Sequence, residues 1–403
     1  MKNKTNLLVI IALVIMLNAL SVKSYAKDYT GIIEKIELQL LKKVKIFDGR
    51  WPEFTVDGIW KYRENVNWFS GFAAGELFLM NEITSNKILF DEAIVISDVL
   101  INYADINYTH DMGFIFLHSA INAYRKTGDV KYKEAGLRAA KMLAKRFNEK
   151  GNFIRAWGEL GSDDREGLMI IDTMLNLELL FWAAREYGIP EFYDIAYKHA
   201  VVCLNEHLRD NFSSYHVVEF DPDNGKILKK YTHQGFTDNS TWARGQAWGI
   251  YGFAQVYKNT GDIRFLNASK KMADFFLNQL PDDNVPYWDL DISDVNVSKD
   301  ASAGAIAASG MSILAEVCNT KEDYKKYISA ADIITESLVE NYTFLNSNRK
   351  IEEGILIHTV YNFNAGWGID ESFPCGDYYF VEALHKYLKR NLIDINTDVK
   401  KKD

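Results

Sequence analysis

Cysteine is scarce in this chain of 403 residues. Cys203, Cys318 and Cys375 are few, far apart and odd in number, so they make no disulfide framework. Cys203 and Cys318 sit in apolar helical runs and read as inert core residues. Proline is also rare, with six in all, which favours helix over irregular sheet. Positive charge is in deficit. The formal net charge of -9 argues against a nucleic-acid partner. It leaves room for a small anionic ligand, which a local group such as Arg244 and nearby histidines can hold. Long apolar runs are limited to one, Leu7 to Leu20, and it is too short to span a bilayer. Lys2 and Lys4 precede it and Ser24-Tyr25-Ala26 follow it, so residues 1–26 read as a secretory signal. The expected protein is exported, periplasmic or secreted, without a membrane span. Metal-ligand spacing is missing as well. His216 and His233 stand isolated, so no metal and no cofactor is expected.

Aromatic residues, by contrast, are abundant: 9 Trp, 22 Tyr and 23 Phe. After residue 26, about 377 residues remain, enough for one large domain. One phrase recurs along them: a helix ends, a short polar turn follows, and an aromatic residue opens the next helix. It appears around Gly128, Gly188, Gly261 and Lys321, spaced by 60, 73 and 60 residues, with a weaker copy before them. A period of about 60 residues is one helical hairpin with its connections, and such self-similarity marks a toroid or a solenoid. The length accommodates about six hairpins, which close into an all-α (α/α)6 barrel from about residue 28 to 392. An open solenoid is the alternative, but it would want capping repeats. Short strands are expected between helices, with Asp223-Asn224-Gly225 as a hairpin turn. The charged tail from Thr397 to Asp403 is expected to be disordered.

Polar and aromatic residues crowd the pieces between hairpins: Asn67 to Phe72, His110 to Phe114, Asp172 to Asn176 and Lys299 to Gly304. Each sets a capping-type residue before an apolar helical run. If these runs line a barrel, their N-termini share one rim, whose amides and dipoles favour an anion. Asp172 follows Met169-Ile170-Ile171 and precedes Thr173-Met174-Leu175. It reads either as a helix cap or as a desolvated carboxyl of raised pKa suited to general-acid work. Asp111 carries the same two readings. Two carboxylates on one rim suit sugar chemistry.

The most informative stretch is His233 to Ala254. Asp238, Asn239 and Ser240 are candidate caps for a helix. That helix carries Gly245, Gly249 and Gly252 on one face, where another helix could approach closely. Arg244 and Trp248, at i and i+4, are placed to meet. Guanidinium, indole and the Gln246 amide suit an anionic, sugar-like ligand, and a glycine-packed core helix with a cation–π pair is the plainer reading. Trp68, Trp242 and Trp248 are either core residues or stacking surfaces for sugar rings. Arg244→Ala is therefore expected to raise KM with little loss of fold.

Taken together, WFSGFAAG (68–75), HDMGF (110–114), IDTMLN (171–176), HQGFTDNSTWARGQAWGIYG (233–252), VPYWDLD (285–291), KDASAGAIAASG (299–310) and GDYYFVEAL (376–384) resemble the unsaturated glucuronyl hydrolases of glycoside hydrolase family 88. The likeness covers nearly the whole chain after the signal, and the central block is its most specific part. The resemblance implies an (α/α)6 barrel that removes the 4,5-unsaturated uronic acid left by polysaccharide lyases at the non-reducing end of oligosaccharides. It implies Asp172 as general acid/base and Asp111 as the second essential carboxylate. It further implies substrate contacts at Trp68, His110, His216, Gln234, Trp242, Arg244 and Trp248. In the implied chemistry the acid protonates C4, water adds at C5, and the hemiketal collapses with loss of the aglycone. One segment departs from the family. Some members acting on sulfated glycosaminoglycan disaccharides carry serines and a lysine where this chain has Asn362, Ala365 and Trp367, which puts that sulfate pocket in doubt. Trp367 could instead pack on a deoxy sugar such as rhamnose. Fragments of glycosaminoglycan, ulvan or gellan type all stay open. So do two other readings, an unsaturated rhamnogalacturonyl hydrolase and a non-catalytic exported sugar-binding protein.

Overall fold

Among the described residues twelve α-helices alternate in role, and the local sequence dictates the alternation. In the computed structural model, which describes residues 29–44, 49–162, 165–292, 294 and 296–399, they are α1 Thr30–Val44, α2 Ser70–Thr84 and α3 Lys87–Leu100, followed by α4, which runs Met112–Phe116, a π-helical turn Leu117–Ile121, then Asn122–Thr127. They continue as α5 Val130–Ala144, α6 Thr173–Tyr187, α7 Pro190–Glu206, α8 Ala243–Thr260, α9 Ile263–Asn278, α10 Ala301–Val317, α11 Lys321–Asn341 and α12 Pro374–Val399. The expected signal, residues 1–26, lies outside the described residues.

The recurrent phrase is a pair of caps. Gly128, Gly188 and Gly261 end α4, α6 and α8 with φ of 73°, 65° and 69°, a left-handed conformation that glycine adopts without steric cost. The next outer helix then starts at once. Asp129 and Asp262 accept the amides of Lys131 and Arg264, and Pro190 opens α7, each a favourable helix start. The fourth copy has no such glycine. Cys318 is extended there, and Thr320 caps α11 by accepting the Asp323 amide.

The helices after the polar-aromatic pieces are buried on all sides. In α10 every residue from Ala301 to Ala315 is buried, as expected of a helix packed within other helices. The contacts run α2–α4–α6–α8–α10–α12 and back to α2, a closed ring of six. Helices α3, α5, α7, α9 and α11 each pack outside their preceding partner. The sixth outer helix is the first in sequence. α1 packs on α2 and α3, Tyr29 meets the Tyr387 ring of α12 at 5.6 Å, and Lys43 pairs with Glu76 at 2.7 Å. The architecture is the (α/α)6 barrel, with the ring closed rather than open.

Two local expectations need correction. α8 starts at Ala243, beyond Asp238, Asn239 and Ser240, and Trp242 occupies the N-cap position without a side-chain cap. Ser240 instead donates to Asp289 at 2.7 Å, while the Ala243 amide is taken by the Trp288 carbonyl. Of the three glycines of α8, only Gly252 is closed by a second helix backbone. A Cβ there would stand 2.4 Å from the Cβ of Met174 on α6, whereas Gly249 receives the Met272 side chain and Gly245 lies under the Trp242 ring.

Four small antiparallel sheets decorate the rim. β1 (Trp51–Val56) pairs β2 (Ile59–Arg63), β3 (Phe147–Asn148) pairs β4 (Phe153–Ile154), and β8 (Thr359–Asn362) pairs β9 (Trp367–Glu371). The remaining sheet has the order β5 (Leu168–Ile170), β6 (Val217–Phe220) and β7 (Ile227–Tyr231). The β6–β7 turn places Gly225 at φ 72°, at the position expected for a hairpin turn. Thr397 to Val399 continue α12, and residues 400–403 lie outside the described ones.

Candidate active site

Because every inner helix follows the same hairpin direction, their N-termini meet at one end of the barrel. A cavity of about 570 Å³ opens there. Trp68 before α2, Asp111 before α4, Asp172 before α6, and Trp242 and Arg244 at the start of α8 all face it.

Three aspartates occupy the same N-cap position, and only one of them caps. Asp300 accepts the Ser302 amide at 3.1 Å. Asp111 and Asp172 make no side-chain cap bond to α4 or α6. The cap reading of these two therefore fails on geometry, and both carboxylates are turned into the cavity. Asp111 accepts the Thr109 hydroxyl at 2.5 Å and lies 3.3 Å from His110 Nε2. His110 is buried, and its Nδ1 meets the Thr173 hydroxyl at 2.8 Å. A carboxylate only accepts, so the proton belongs on Nε2 and Thr173 donates to Nδ1. Burial holds the His110 pKa below the ordinary histidine value.

Asp172 is the electrostatic outlier. Burial first, and the Asp111 charge second, raise its carboxyl pKa to about 7, against opposing pulls from Arg244, its own backbone and Trp248. Its Oδ2 is buried and accepts no hydrogen bond. The nearest cationic-type group is His216 Nε2, at 3.7 Å. His216 Nδ1 accepts the backbone amides of His233 and Gln234, both at 3.3 Å, so its ring proton sits on Nε2, facing Asp172. Burial pushes the His216 pKa well down, which keeps the ring neutral. A protonatable carboxyl beside a fixed, neutral N–H donor is equipped to give a proton and then to remain as an anion.

The other residues picked from sequence separate into two groups. Trp68, His110, Gln234, Trp242 and Arg244 line the cavity together with the two aspartates. His216 and Trp248 do not. His216 is stacked behind Trp242 at 4.5 Å. Trp248 is wholly buried against Phe114 and Tyr379, each at 5.3 Å. Its indole N–H has no acceptor at hydrogen-bonding distance, but it favours the ionised form of Asp172. Both residues sit behind the cavity wall, beside Asp172.

Arg244 is placed differently. Its guanidinium covers Trp242 at 4.5 Å and Phe373 at 5.1 Å, and not Trp248. One of its amino groups reaches Asp300 at 2.8 Å and the Val360 carbonyl at 2.5 Å, and the other reaches the Tyr361 carbonyl at 2.6 Å. Gln234 donates to the same Tyr361 carbonyl at 2.9 Å. Arg244 is a buried tie between the barrel rim and the β8 strand, so its loss must cost fold. Gln246 is structural as well. It points away from the cavity, giving its amide to the carbonyls of Phe212 and Met272.

Sequence reading missed Tyr108, Thr109, Trp157 and Tyr231, all of which line the cavity. Tyr361 lines it too, one residue before the departing segment. Trp157 and Tyr361 are single aromatics in loops or edge strands, with no periodicity to mark them. Tyr361 is the hub of one wall: the Trp68 indole donates to its hydroxyl at 3.4 Å, and Trp367 stacks on its ring at 6.1 Å.

Comparison with known proteins places this geometry. The model of Glycosyl Hydrolase Family 88 matches residues 32–343. The chain is 40% identical over 370 residues to an unsaturated chondroitin disaccharide hydrolase of Streptococcus agalactiae, covering 89% of this chain and 90% of that one. An unsaturated glucuronyl hydrolase specific for heparin has a similar structure, with a TM-score of 0.83 and 35% identity over 90% of this chain and 97% of the other. A mutant of the Streptococcus agalactiae unsaturated glucuronyl hydrolase, complexed with dGlcA-GalNAc6S, gives a TM-score of 0.75 at 33% identity, covering 90% and 93%.

Proposed function

We infer the reaction from a chain that belongs to glycosyl hydrolase family 88 and that holds one carboxyl protonated near neutrality at the head of its cavity. The enzyme is an unsaturated glucuronyl hydrolase. It removes 4,5-unsaturated glucuronic acid from the non-reducing end of lyase-generated oligosaccharides. The relatives carry that activity in their names, and not those of a rhamnogalacturonyl hydrolase or a binding protein. The single observation that carries the mechanism is Asp172, uncapped, buried and raised to about 7.

Protonated Asp172 gives its proton to C4 of the enol ether. The ring then carries positive charge shared between C5 and the ring oxygen, close to the carboxylate of Asp111. Water adds at C5 and returns a proton to Asp172, so the acid is regenerated within one turnover. The C5 hemiketal opens to a ketone, and the hemiacetal at C1 releases the aglycone as an alcohol. Ring aromatics of Trp68, Trp157 and Tyr361 supply the walls that exclude bulk water. Run in heavy water, the reaction places deuterium at C4 of the product. Run in oxygen-labelled water, it places the new oxygen at C5. Label at C1 with the double bond intact would overturn the mechanism in favour of ordinary glycoside hydrolysis.

The sugar beyond the unsaturated residue meets the β8–β9 hairpin. From Thr359 to Glu371 the hairpin has no lysine or arginine. Trp367 faces the cavity there, stacked on Tyr361 and 44% exposed. A half-exposed indole on a hairpin without lysine or arginine favours a neutral or deoxy sugar over a 6-sulfated one. A sulfate seated there without a partner keeps a desolvation cost of about 1–3 kcal/mol or more, which predicts a preference of roughly 10-fold in kcat/KM for the unsulfated fragment. A panel of lyase products, followed by loss of the ultraviolet absorbance of the conjugated double bond, measures this directly. Higher kcat/KM on the sulfated member would show that the hairpin does not set the preference.

Export is the remaining part of the proposal. It is supported by the apolar run Leu7–Leu20 and the small residues before Lys27. Amino-terminal sequencing of the protein recovered outside the cytoplasm should begin at Lys27. Recovery of the intact amino terminus in the cytoplasm would count against it.

A further inference from the structure

We propose that His207, a buried histidine remote from the cavity wall, is a positioning residue for the proton-transferring carboxyl of Asp172, acting through Tyr215 and His216. The proposal rests on the reading of Asp172 as the acid. It starts from an accounting of buried polar atoms. Asp172 Oδ2, His216 Nε2 and His207 Nε2 are all buried without a hydrogen-bond partner, and His207 lies close enough to His216 to depress its pKa. Unpartnered buried polar atoms are expensive, so three of them on residues that sense one another call for a reason.

The reason lies in how residue 216 is held. His207 ends α7, with its amide on the Cys203 carbonyl. Its Nδ1 meets the Tyr215 carbonyl at 3.0 Å, and its own carbonyl accepts the Tyr215 amide at 2.8 Å. A carbonyl only accepts, so the ring proton of His207 is on Nδ1. Residue 215 is thereby gripped at both backbone groups, while Arg209 covers its ring at 3.8 Å. The next residue, His216, takes the Ile171 amide on its carbonyl at 3.2 Å. It also takes the amides of His233 and Gln234 on Nδ1. These bonds fix both the tautomer and the direction of Nε2–H, which faces Asp172 Oδ2 at 3.7 Å. When Asp172 has given up its proton, that N–H stands ready to hold the carboxylate. Without the His207 grip the Tyr215 carbonyl loses its donor, the 215–216 backbone is freed to shift, and His216 drifts from the acid.

Four variants test this. His207→Asn keeps an amide N–H near the Nδ1 position, His207→Gln moves it to the Nε2 position, and His207→Leu removes it. His207→Leu and His207→Gln should lower kcat by about 10- to 100-fold, the range expected for a misplaced catalytic group, with KM within about twofold. His207→Asn should recover most of the loss. The alkaline limb of kcat/KM should move to higher pH in the Leu and Gln variants, because a carboxylate deprived of a donor is harder to ionise. If His207→Leu does not fold, the Asn and Gln pair decides, since both retain an amide. Loss of kcat matched by loss of folded fraction, with the alkaline limb in place and no difference between Asn and Gln, would overturn the proposal. The fourth variant, Asp172→Asn, separates the two readings. Turnover surviving in Asp172→Asn removes the acid itself, whereas turnover lost there with His207 variants unchanged removes only the role of His207.

Discussion

Asp172→Asn should lower turnover by at least ~10²–10⁴, the range typical of general acid–base catalysis, while oligosaccharide binding survives. The substitution keeps the shape and removes a cavity-facing carboxyl whose pKa is raised to about 7. Its N-cap position is no obstacle, because Asp172 makes no side-chain cap bond to α6, so the variant gives up no helix-cap energy. Single-turnover kinetics and equilibrium binding on one unsaturated disaccharide separate the two effects. The pH profile supplies an independent check. The working form is the protonated one, so wild-type activity should be full below the raised pKa and fall as pH rises through about 7. Asp111→Asn removes the like charge that is the second cause of that raised value, so the alkaline limb should move to lower pH. Turnover near the wild-type level in Asp172→Asn would assign the proton to another group. A limb that stayed fixed in Asp111→Asn would break the electrostatic link between the two aspartates.

How much of this was legible beforehand follows from the range of the interactions involved. The barrel was readable because its turns obey local rules. Gly128, Gly188 and Gly261 need a left-handed conformation, and Asp129 and Asp262 cap within two residues. The repeat is therefore written in neighbouring residues. The cap-or-acid question at Asp172 and Asp111 was not readable. All three rim aspartates have the same local grammar, and what distinguishes them is which way the side chain turns. Asp300 bonds Ser302 and Arg244, while Asp111 is drawn aside by the Thr109 hydroxyl. His216 was singled out, but its place behind Trp242 was not readable. Its two backbone donors lie 17 and 18 residues away, and the Trp242 ring it stacks on lies 26 residues away. His207 had no signal at all, because its effect passes through the carbonyl of a neighbour in space.

Arg244 shows the same limit with the opposite consequence, and it yields the second large effect. The i, i+4 spacing pointed to Trp248 and to a ligand, but the partners lie 56, 116 and 117 residues away. Both Arg244 and Asp300 are essentially inaccessible to solvent. Arg244→Ala should therefore destabilise the fold by about 3–5 kcal/mol, the usual cost of leaving one member of a buried ion pair alone. That is a large part of the 5–15 kcal/mol that typically holds a native protein together. The loss should appear as a lowered urea midpoint before any kinetic change is interpreted. Asp300→Asn keeps the hydrogen-bonding shape without the charge, and the double variant Arg244→Ala/Asp300→Asn removes the stranded anion. It should be more stable than the sum of the single losses implies, with a coupling energy inside the 0.5–3 kcal/mol seen for residues in contact. In the double variant the Val360 carbonyl loses its guanidinium donor and the Tyr361 carbonyl keeps only Gln234, so recovery is partial. The β8 strand carrying Tyr361 is also one wall of the cavity, and KM should rise alongside the loss of stability. An Arg244→Ala enzyme with an unchanged urea midpoint and a raised KM would return the residue to direct substrate binding, as its place in the central block first implied.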